Sequence, residues 1–201
     1  MVYLDADDHT LEESAIGDFL EMAGVASTAD INVVVQLDRL AGYDVSYDNW
    51  TGCRRYLVTE GLTPAEGNEV MNMGEVDMGN PDTLTDFAAW AIANYPAESY
   101  ALIISSHGKG WEGCCWDETS GGDNLELAEL KTSLSHITGI AGGQLDLVGF
   151  DACLMGMAEV AYEIRDCASI MVASEHAEPS TGWPYDSILT DLSDNPAMDA
   201  A

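Results

Sequence analysis

The feature that most constrains the fold is the alternation of short apolar runs with amphipathic helical segments along the chain. Five of the apolar runs are continuous rather than alternating in polarity, and they occupy residues 2–4, 31–37, 100–105, 145–150 and 170–173. Strands with this pattern are typical of a parallel sheet, where both faces are buried. The alternation therefore predicts an α/β fold, with a mostly parallel sheet and helices on both of its faces.

Capping and stop signals place the helices between these runs. Thr10 followed by Glu13 matches a capping box and predicts a first helix that ends at Gly24. Three further helices are predicted over residues 81–95, over about 125–137, and from immediately after Cys153 to residue 162. Residues 54–59 are predicted to form part of a hairpin, and the Gly- and Met-rich residues 61–79 a loop.

The charge of the chain excludes several classes of partner. Among its 201 residues, 36 are acidic and 6 are Lys or Arg, which gives a formal net charge of -30. A surface this acidic repels nucleic acid and anionic membranes and attracts cationic molecules. No run of 18 apolar residues is present, so no membrane span is predicted. Residues 1–5 do not resemble a signal peptide, so we expect a cytoplasmic protein, or an exported one if a leader has been removed.

The cysteines do not form a disulfide or zinc framework. There are five, an odd number, and none is in a CxxC pair. The adjacent Cys114 and Cys115 are predicted to be oxidation-sensitive loop thiols. No metal site is assigned, because the 36 carboxylates include no contiguous calcium-binding loop.

Two strand ends carry residues that could form a catalytic dyad. His107 follows the third apolar run and Cys153 follows the fourth, so a parallel sheet brings both to one edge. A histidine and the amino end of the predicted following helix would both favour a Cys153 thiolate. The amides of Gly108 and Cys153 could form an oxyanion hole. The alternatives are an inert core cysteine and a hydrogen-bonded loop histidine, and His176 is a second candidate partner.

Several motifs resemble those of the clostripain-like cysteine peptidases, family C11, in the clan that includes caspases, gingipains and legumain. The resemblance is carried by residues 107–111 (HGKGW), 149–155 (GFDACLM), 174–175 (SE) and 182–185 (GWPY). It implies a caspase-like three-layer α/β sandwich, with residues 1–201 as a single peptidase domain that lacks the C-terminal extension usual in the family.

The resemblance also implies roles for individual residues. Cys153 would be the nucleophile of an endopeptidase that cleaves after Arg or Lys, and His107 would protonate the leaving amine. Asp151 matches the position that binds the basic side chain, for which a carboxylate is the best partner; the alternative interpretation is a carboxylate that interacts with the following helix. Ser174 and Glu175 are predicted to be pocket wall, with Glu175 as a second acidic contact.

Two other functions remain open. The chain could be a non-catalytic caspase-fold module that binds basic peptides, or a thiol hydrolase of a non-peptide amide. The expected partners of a peptidase are proteins or peptides that contain Arg or Lys, and no oligomeric state is predicted. The chemistry requires no cofactor. Some relatives depend on calcium, but the sequence does not assign a site for it.

Overall fold

A computed structural model describes residues 1–198 as a seven-stranded sheet with helices on both faces, together with a separate two-stranded hairpin. The strands are β1 (Val2–Ala6), β2 (Val34–Arg39), β3 (Gly52–Leu57), β4 (Met71–Gly74), β5 (Ala101–Ser105), β6 (Cys114–Asp117), β7 (Asp123–Leu125), β8 (Leu145–Asp151) and β9 (Ala168–Ala173). The helices are α1 (Glu12–Val25), α2 (Pro81–Asn94), α3 (Leu127–Ala141), α4 (Ala158–Ile164) and α5 (Tyr185–Asp194).

The main sheet has the strand order β4-β3-β2-β1-β5-β8-β9. Strands β2, β1, β5, β8 and β9 are parallel, and β3 and β4 add an antiparallel edge. The predicted α/β fold with a mostly parallel sheet is therefore confirmed. The hairpin predicted around residues 54–59 is also confirmed, because β3 pairs antiparallel with β2. No helix in the described part of the chain is long and apolar enough to cross a membrane.

The core is divided by the sheet into two apolar layers. Tyr3 packs with Phe87 of α2 in one layer, whereas the next residue of β1, Leu4, belongs to the layer that contains Phe19 of α1. Adjacent residues of a strand point to opposite faces, so a central strand must be apolar at every position. This is why the continuous apolar runs predicted a sheet covered on both sides, and the result is a three-layer sandwich.

Four local predictions were wrong. The fourth helix begins at Ala158 rather than directly after Cys153. Helix α1 is preceded by Leu11 with no side-chain cap, so Thr10 does not cap it. The stretch predicted as a loop contains β4. Cys114 and Cys115 lie on β6 and are fully buried, so they are not loop thiols.

Candidate active site

The carboxyl ends of two adjacent parallel strands bring His107 and Cys153 to one edge of the sheet. Strands β5 and β8 are paired in the register that places Ser105 beside Asp151. His107 lies two residues beyond the first of these positions and Cys153 two residues beyond the second. The placement expected from the strand ends is thus observed, and both residues line the same cavity.

The turn that carries Cys153 is held by backbone contacts rather than by a helix. Leu154 has a φ of 64°, which few residues other than glycine adopt readily. Its amide donates to the carbonyl of His176 at 3.0 Å, and the amide of Gly156 donates to the carbonyl of Ser174 at 2.7 Å. The segment after β9 therefore fixes the turn. Because α4 starts only at Ala158, the expected stabilisation of a thiolate by a helix terminus is not observed.

The thiol of Cys153 has a different stabilising neighbour. The backbone amide of Glu178 donates to Cys153 Sγ at 3.2 Å. This contact fixes the position of the sulfur atom relative to the loop that carries Glu178. Cys153 is also the only cysteine among the described residues that is not buried, since Cys53, Cys114, Cys115 and Cys167 are all inaccessible. Its sulfur is therefore the one thiol that a substrate could reach.

Gly108 brings the histidine loop into direct contact with the cysteine turn. A Cβ atom at residue 108 would lie 2.3 Å from the carbonyl oxygen of Cys153 and 3.0 Å from the Cβ of Ala152. Only glycine allows so close an approach. In residues 1–198, neither the amide of Gly108 nor that of Cys153 donates a hydrogen bond to another protein group. Neither amide is therefore occupied by another protein group, although Gly108 itself is buried and does not line the cavity.

His107 is held by two residues from the loop that follows β1. Its Nε2 lies 3.0 Å from the hydroxyl of Thr10 and 3.3 Å from Oδ1 of Asp8. Burial alone would raise the pKa of Asp8, but the hydrogen bonds from Thr10 and the nearby His107 outweigh it and lower the pKa. These two contacts hold the imidazole ring in a fixed orientation. Sequence analysis missed Asp8 and assigned Thr10 to a helix cap.

The cavity beside this pair has a volume of about 170 Å³ and an acidic lining. Asp5, Asp18, Asp151 and Glu178 contribute carboxylates, and no Lys or Arg of the described residues lines it. Three acids thus join the predicted Asp151. Asp5 could have been predicted, because it lies in β1, next to β5 in the sheet. Asp18 lies on a helix and Glu178 in a loop, so strand positions do not predict them.

Asp151 is a buried and well-anchored member of this acidic group. It is 5% exposed, and its Oδ2 accepts hydrogen bonds from the amide of Trp183 and the hydroxyl of Tyr185, both at 3.1 Å. Burial raises its pKa despite these two donors. A Cβ atom at Gly182 would lie 2.9 Å from Oδ2 of Asp151 and 3.0 Å from Oδ2 of Asp18. The two carboxyl groups therefore flank one glycine of the GWPY segment.

Burial, together with neighbouring carboxyl groups, raises the pKa values of Asp18 and Glu178. Burial, followed by repulsion from Asp151 and Glu21, raises the pKa of Asp18 to about 8. Burial and the charge of Asp151 raise the pKa of Glu178 as well. A nearby cation favours the ionised form of a carboxyl group, so a bound cation would stabilise these carboxylates.

Comparison with known proteins identifies the family of the chain. The family model described as the clostripain family, Peptidase C11, matches residues 2–201. Clostripain from Hathewaya histolytica is 30% identical over 220 residues, an alignment that covers 94% of this chain and 41% of the relative.

The chain belongs to the clostripain family. Two solved structures share its fold. One is a secreted C11 cysteine protease from Bacteroides thetaiotaomicron in complex with an irreversible peptide inhibitor, with a TM-score of 0.74 and 23% identity. The other is an inactive zymogen C11 protease from Parabacteroides distasonis, with a TM-score of 0.62 and 24% identity. Each alignment covers 95% of this chain and 52% of the solved chain with which it is compared. The caspase-like fold is therefore confirmed.

Gly108 and three further residues singled out from the sequence are not among the residues that line the cavity of this clostripain-family chain. Glu175 and His176 are exposed, and neither they nor Ser174 are among the residues that line it. Ser174 instead supports the cysteine turn through its carbonyl, as described above. A Cβ atom at Gly156 would lie 2.7 Å from the carbonyl carbon of Ser174, so the contact is close enough to require glycine.

A second group of acids could hold a metal ion. Oxygen atoms of Asp7, Asp38, Glu75 and Asp117 all lie within 4.8 Å of one another. These residues come from four separate segments, so no contiguous motif marks them in the sequence. A search of the sequence for a contiguous calcium-binding loop therefore cannot detect a site of this kind.

Proposed function

We propose that this chain is a cysteine endopeptidase that cleaves peptide bonds after Arg or Lys. The observation that carries the proposal is a single cavity lined by Cys153, His107 and four carboxyl groups, with no Lys or Arg of residues 1–198 in its lining. Family membership supports peptide substrates. The chain spans 41% of the length of clostripain and 52% of each solved relative, so the activity of the whole relatives enters here as part of the proposal.

The thiolate of Cys153 would attack the carbonyl carbon of the scissile bond. As the C–N bond breaks, His107 would give a proton to the leaving amine, and a thioester between Cys153 and the substrate acyl group would remain. Water would then hydrolyse the thioester, releasing the carboxylic acid and the thiol. Asp8 and Thr10 contact Nε2 of His107, so Nδ1 would be the nitrogen that donates the proton.

The negative charge that develops on the carbonyl oxygen would be stabilised by the amides of Gly108 and Cys153. Neither amide has another acceptor in residues 1–198, and the contact between the two loops keeps them close together. Donors fixed in advance stabilise a developing oxyanion without a cost of reorganisation. The irreversible peptide inhibitor bound by the Bacteroides thetaiotaomicron relative is consistent with a peptide site in this fold.

A guanidinium or ammonium group would be recognised by Asp151, with Asp18 and Glu178 beside it. Asp151 is buried and already fixed by Trp183 and Tyr185, so its position is set before substrate arrives. Asp151 raises the pKa of Asp18 and of Glu178, and a bound cation would favour the ionised forms of these groups. An uncharged side chain of the same size would not.

The test is hydrolysis of fluorogenic peptides that differ only in the residue before the scissile bond. We expect cleavage after Arg and Lys, none after Leu or Asp, and a loss of about 10–100-fold with citrulline, the neutral isostere of Arg, because a charge-assisted hydrogen bond contributes about 1.5–3 kcal/mol. Cys153→Ala should abolish turnover, and Asp151→Asn should impair cleavage after Arg. Glu98→Gln, an exposed acid before β5, is the matched control and should have no effect.

A second candidate, a non-catalytic module for basic peptides, is favoured by one observation. His107 and Cys153 are hydrogen-bonded to Thr10 and to the amide of Glu178, not to each other. Titration of an Arg peptide into wild type and Cys153→Ala distinguishes the two functions. Equal binding with no turnover by wild type would establish the module and refute the peptidase.

A further inference from the structure

Asp18 is a buried acid of the cavity that has no partner among the described residues. It lies on α1, is 4% exposed and lines the cavity that contains Cys153. Its pKa is set by burial and by the charges of Asp151 and Glu21, with no contribution from a hydrogen bond. Within residues 1–198, no Lys or Arg forms an ion pair with it. Because buried carboxyl groups almost always have a donor or a cation beside them, Asp18 points to a ligand.

The carboxyl group of Asp151, by contrast, is largely occupied by its own surroundings. Its Oδ2 accepts hydrogen bonds from both the amide of Trp183 and the hydroxyl of Tyr185. An oxygen that accepts two hydrogen bonds has used both of its lone pairs. At most Oδ1 of Asp151 is left for a ligand, whereas both oxygens of Asp18 remain.

Gly182 leaves these two carboxyl groups open to the same part of the cavity. A Cβ atom at residue 182 would lie 3.0 Å and 3.1 Å from the two oxygens of Asp18, and 2.9 Å from Oδ2 of Asp151. Any side chain at this position would therefore press against both acids. Gly182 also lines the cavity, and its φ of 64° is one that glycine adopts without strain. A single ligand could thus contact both carboxyl groups.

The ionisable groups that face Asp18 make a cation its best partner. They are Asp151 at the end of β8, Glu21 on the same helix and Tyr185 at the start of α5. The cavity is also lined by the ionisable residues Asp5, His107, Cys153 and Glu178. Burial and the two acidic neighbours raise the pKa of Asp18 to about 8, so at pH 7 it is mostly protonated. A cation bound beside it would favour the carboxylate and displace that proton.

We propose that Asp18 pairs with the cationic end of the substrate's Arg or Lys side chain and determines specificity together with Asp151. This inference rests on the proposed endopeptidase function and adds to it a residue from α1. Both oxygens of Asp18 can accept from one guanidinium group, in the bidentate geometry that Arg and a carboxylate favour. The carboxylic acid of Asp18 loses its proton to solvent as the substrate binds, and a carboxylate paired with a cation remains.

The first experiment compares kcat/KM for fluorogenic peptides with Arg, Lys or citrulline before the scissile bond. Wild type, Asp18→Asn and Glu13→Gln are assayed, because Glu13 is an exposed acid on the same helix and serves as the matched control. We expect Asp18→Asn to lower kcat/KM about 10–100-fold for Arg and Lys. The value for citrulline should hardly change, and Glu13→Gln should resemble wild type with all three peptides.

The second experiment measures binding without turnover. An Arg peptide, acetyl-Gly-Arg-amide, is titrated calorimetrically into Cys153→Ala at pH 7, in phosphate and in Tris, and the difference in heat gives the number of protons released. We expect Cys153→Ala to release about 0.9 proton more than the same protein carrying Asp18→Asn, since a group with a pKa of about 8 is about nine-tenths protonated at pH 7. A residue with only a structural role would not change this number.

The outcomes separate this proposal from the proposed function. Binding of the Arg peptide that depends on Asp18, without turnover by wild type, would support the pairing and refute the peptidase. Turnover with an unchanged ratio of Arg to citrulline in Asp18→Asn would refute the pairing and leave the peptidase intact. Equal proton release with and without Asp18, or no binding of the Arg peptide, also overturns the pairing. If Asp18→Asn does not fold, Asp18→Ser, which removes the carboxyl group without added bulk, decides the question.

Discussion

Replacement of Asp18 by asparagine should change how the stability of the protein depends on pH. Asp18 is 4% exposed and lies against Asp151 and Glu21, and its pKa is raised to about 8 from a reference value of 3.8. Between these two values the folded protein holds a proton that the unfolded chain has released. Stability therefore falls as pH rises through this range, and the unfavourable contribution is complete above pH 8.

The size of the effect follows from the difference of about four pKa units. At about 1.36 kcal/mol per unit, Asp18 would destabilise the folded protein by roughly 5–6 kcal/mol above pH 8, as an upper limit, and by almost nothing at pH 4. An asparagine side chain has nearly the same shape as that of aspartate and carries no charge. The variant and wild type should thus unfold with similar free energies at pH 4, and the variant should be more stable at pH 8 by several kcal/mol.

Urea unfolding of wild type, Asp18→Asn and Glu98→Gln at intervals between pH 4 and 9 measures this difference. General repulsion among the 36 acidic residues affects all three proteins alike, so the difference between wild type and Asp18→Asn isolates one carboxyl group. Glu98→Gln should follow wild type in parallel. A constant difference between wild type and Asp18→Asn across this range would refute the reasoning.

Three further variants or reagents test the candidate site. Asp8→Asn should lower kcat by about 10–100-fold with little change in KM, because it removes a charge-assisted contact to His107 but leaves the cavity intact; an unchanged kcat would contradict that role. Gly108→Ala should destabilise the protein and abolish activity, whereas Gly139→Ala, in an open helical position, should be neutral or stabilising in the same unfolding assay. Iodoacetamide should modify Cys153 alone in the folded protein, as mass spectrometry would show, and equally fast labelling of a buried cysteine would contradict the described packing.

Much of the fold and the centre of the site could be predicted because they depend on short-range signals. Continuous apolar runs identify buried parallel strands, and the residues that directly follow β5 and β8 must then meet at one edge. His107 and Cys153 are predicted in this way, whereas Asp151 is predicted from the family motifs. The structure places all three along one cavity.

The remaining residues depend on tertiary contacts that no local pattern records. The spacing of Thr10 and Glu13 fits a helix cap, but the hydroxyl of Thr10 is used by His107 instead. The segment after Cys153 has a helical composition, yet its turn is fixed by contacts to Ser174 and His176. The second group of acids described above draws its members from four segments, and only the sheet order brings them together.

The pairing of β5 with β8 also determines when a reactive centre can exist during synthesis. The histidine emerges first, and the cysteine joins it only after α3 has crossed over and β8 has been added beside β5. Glu178 and Tyr185, which contact Cys153 and Asp151, are translated later still. A partly synthesised chain therefore has a thiol but no cavity. The order of the strands along the chain thus delays assembly of the cavity until residues 178–185 have been added.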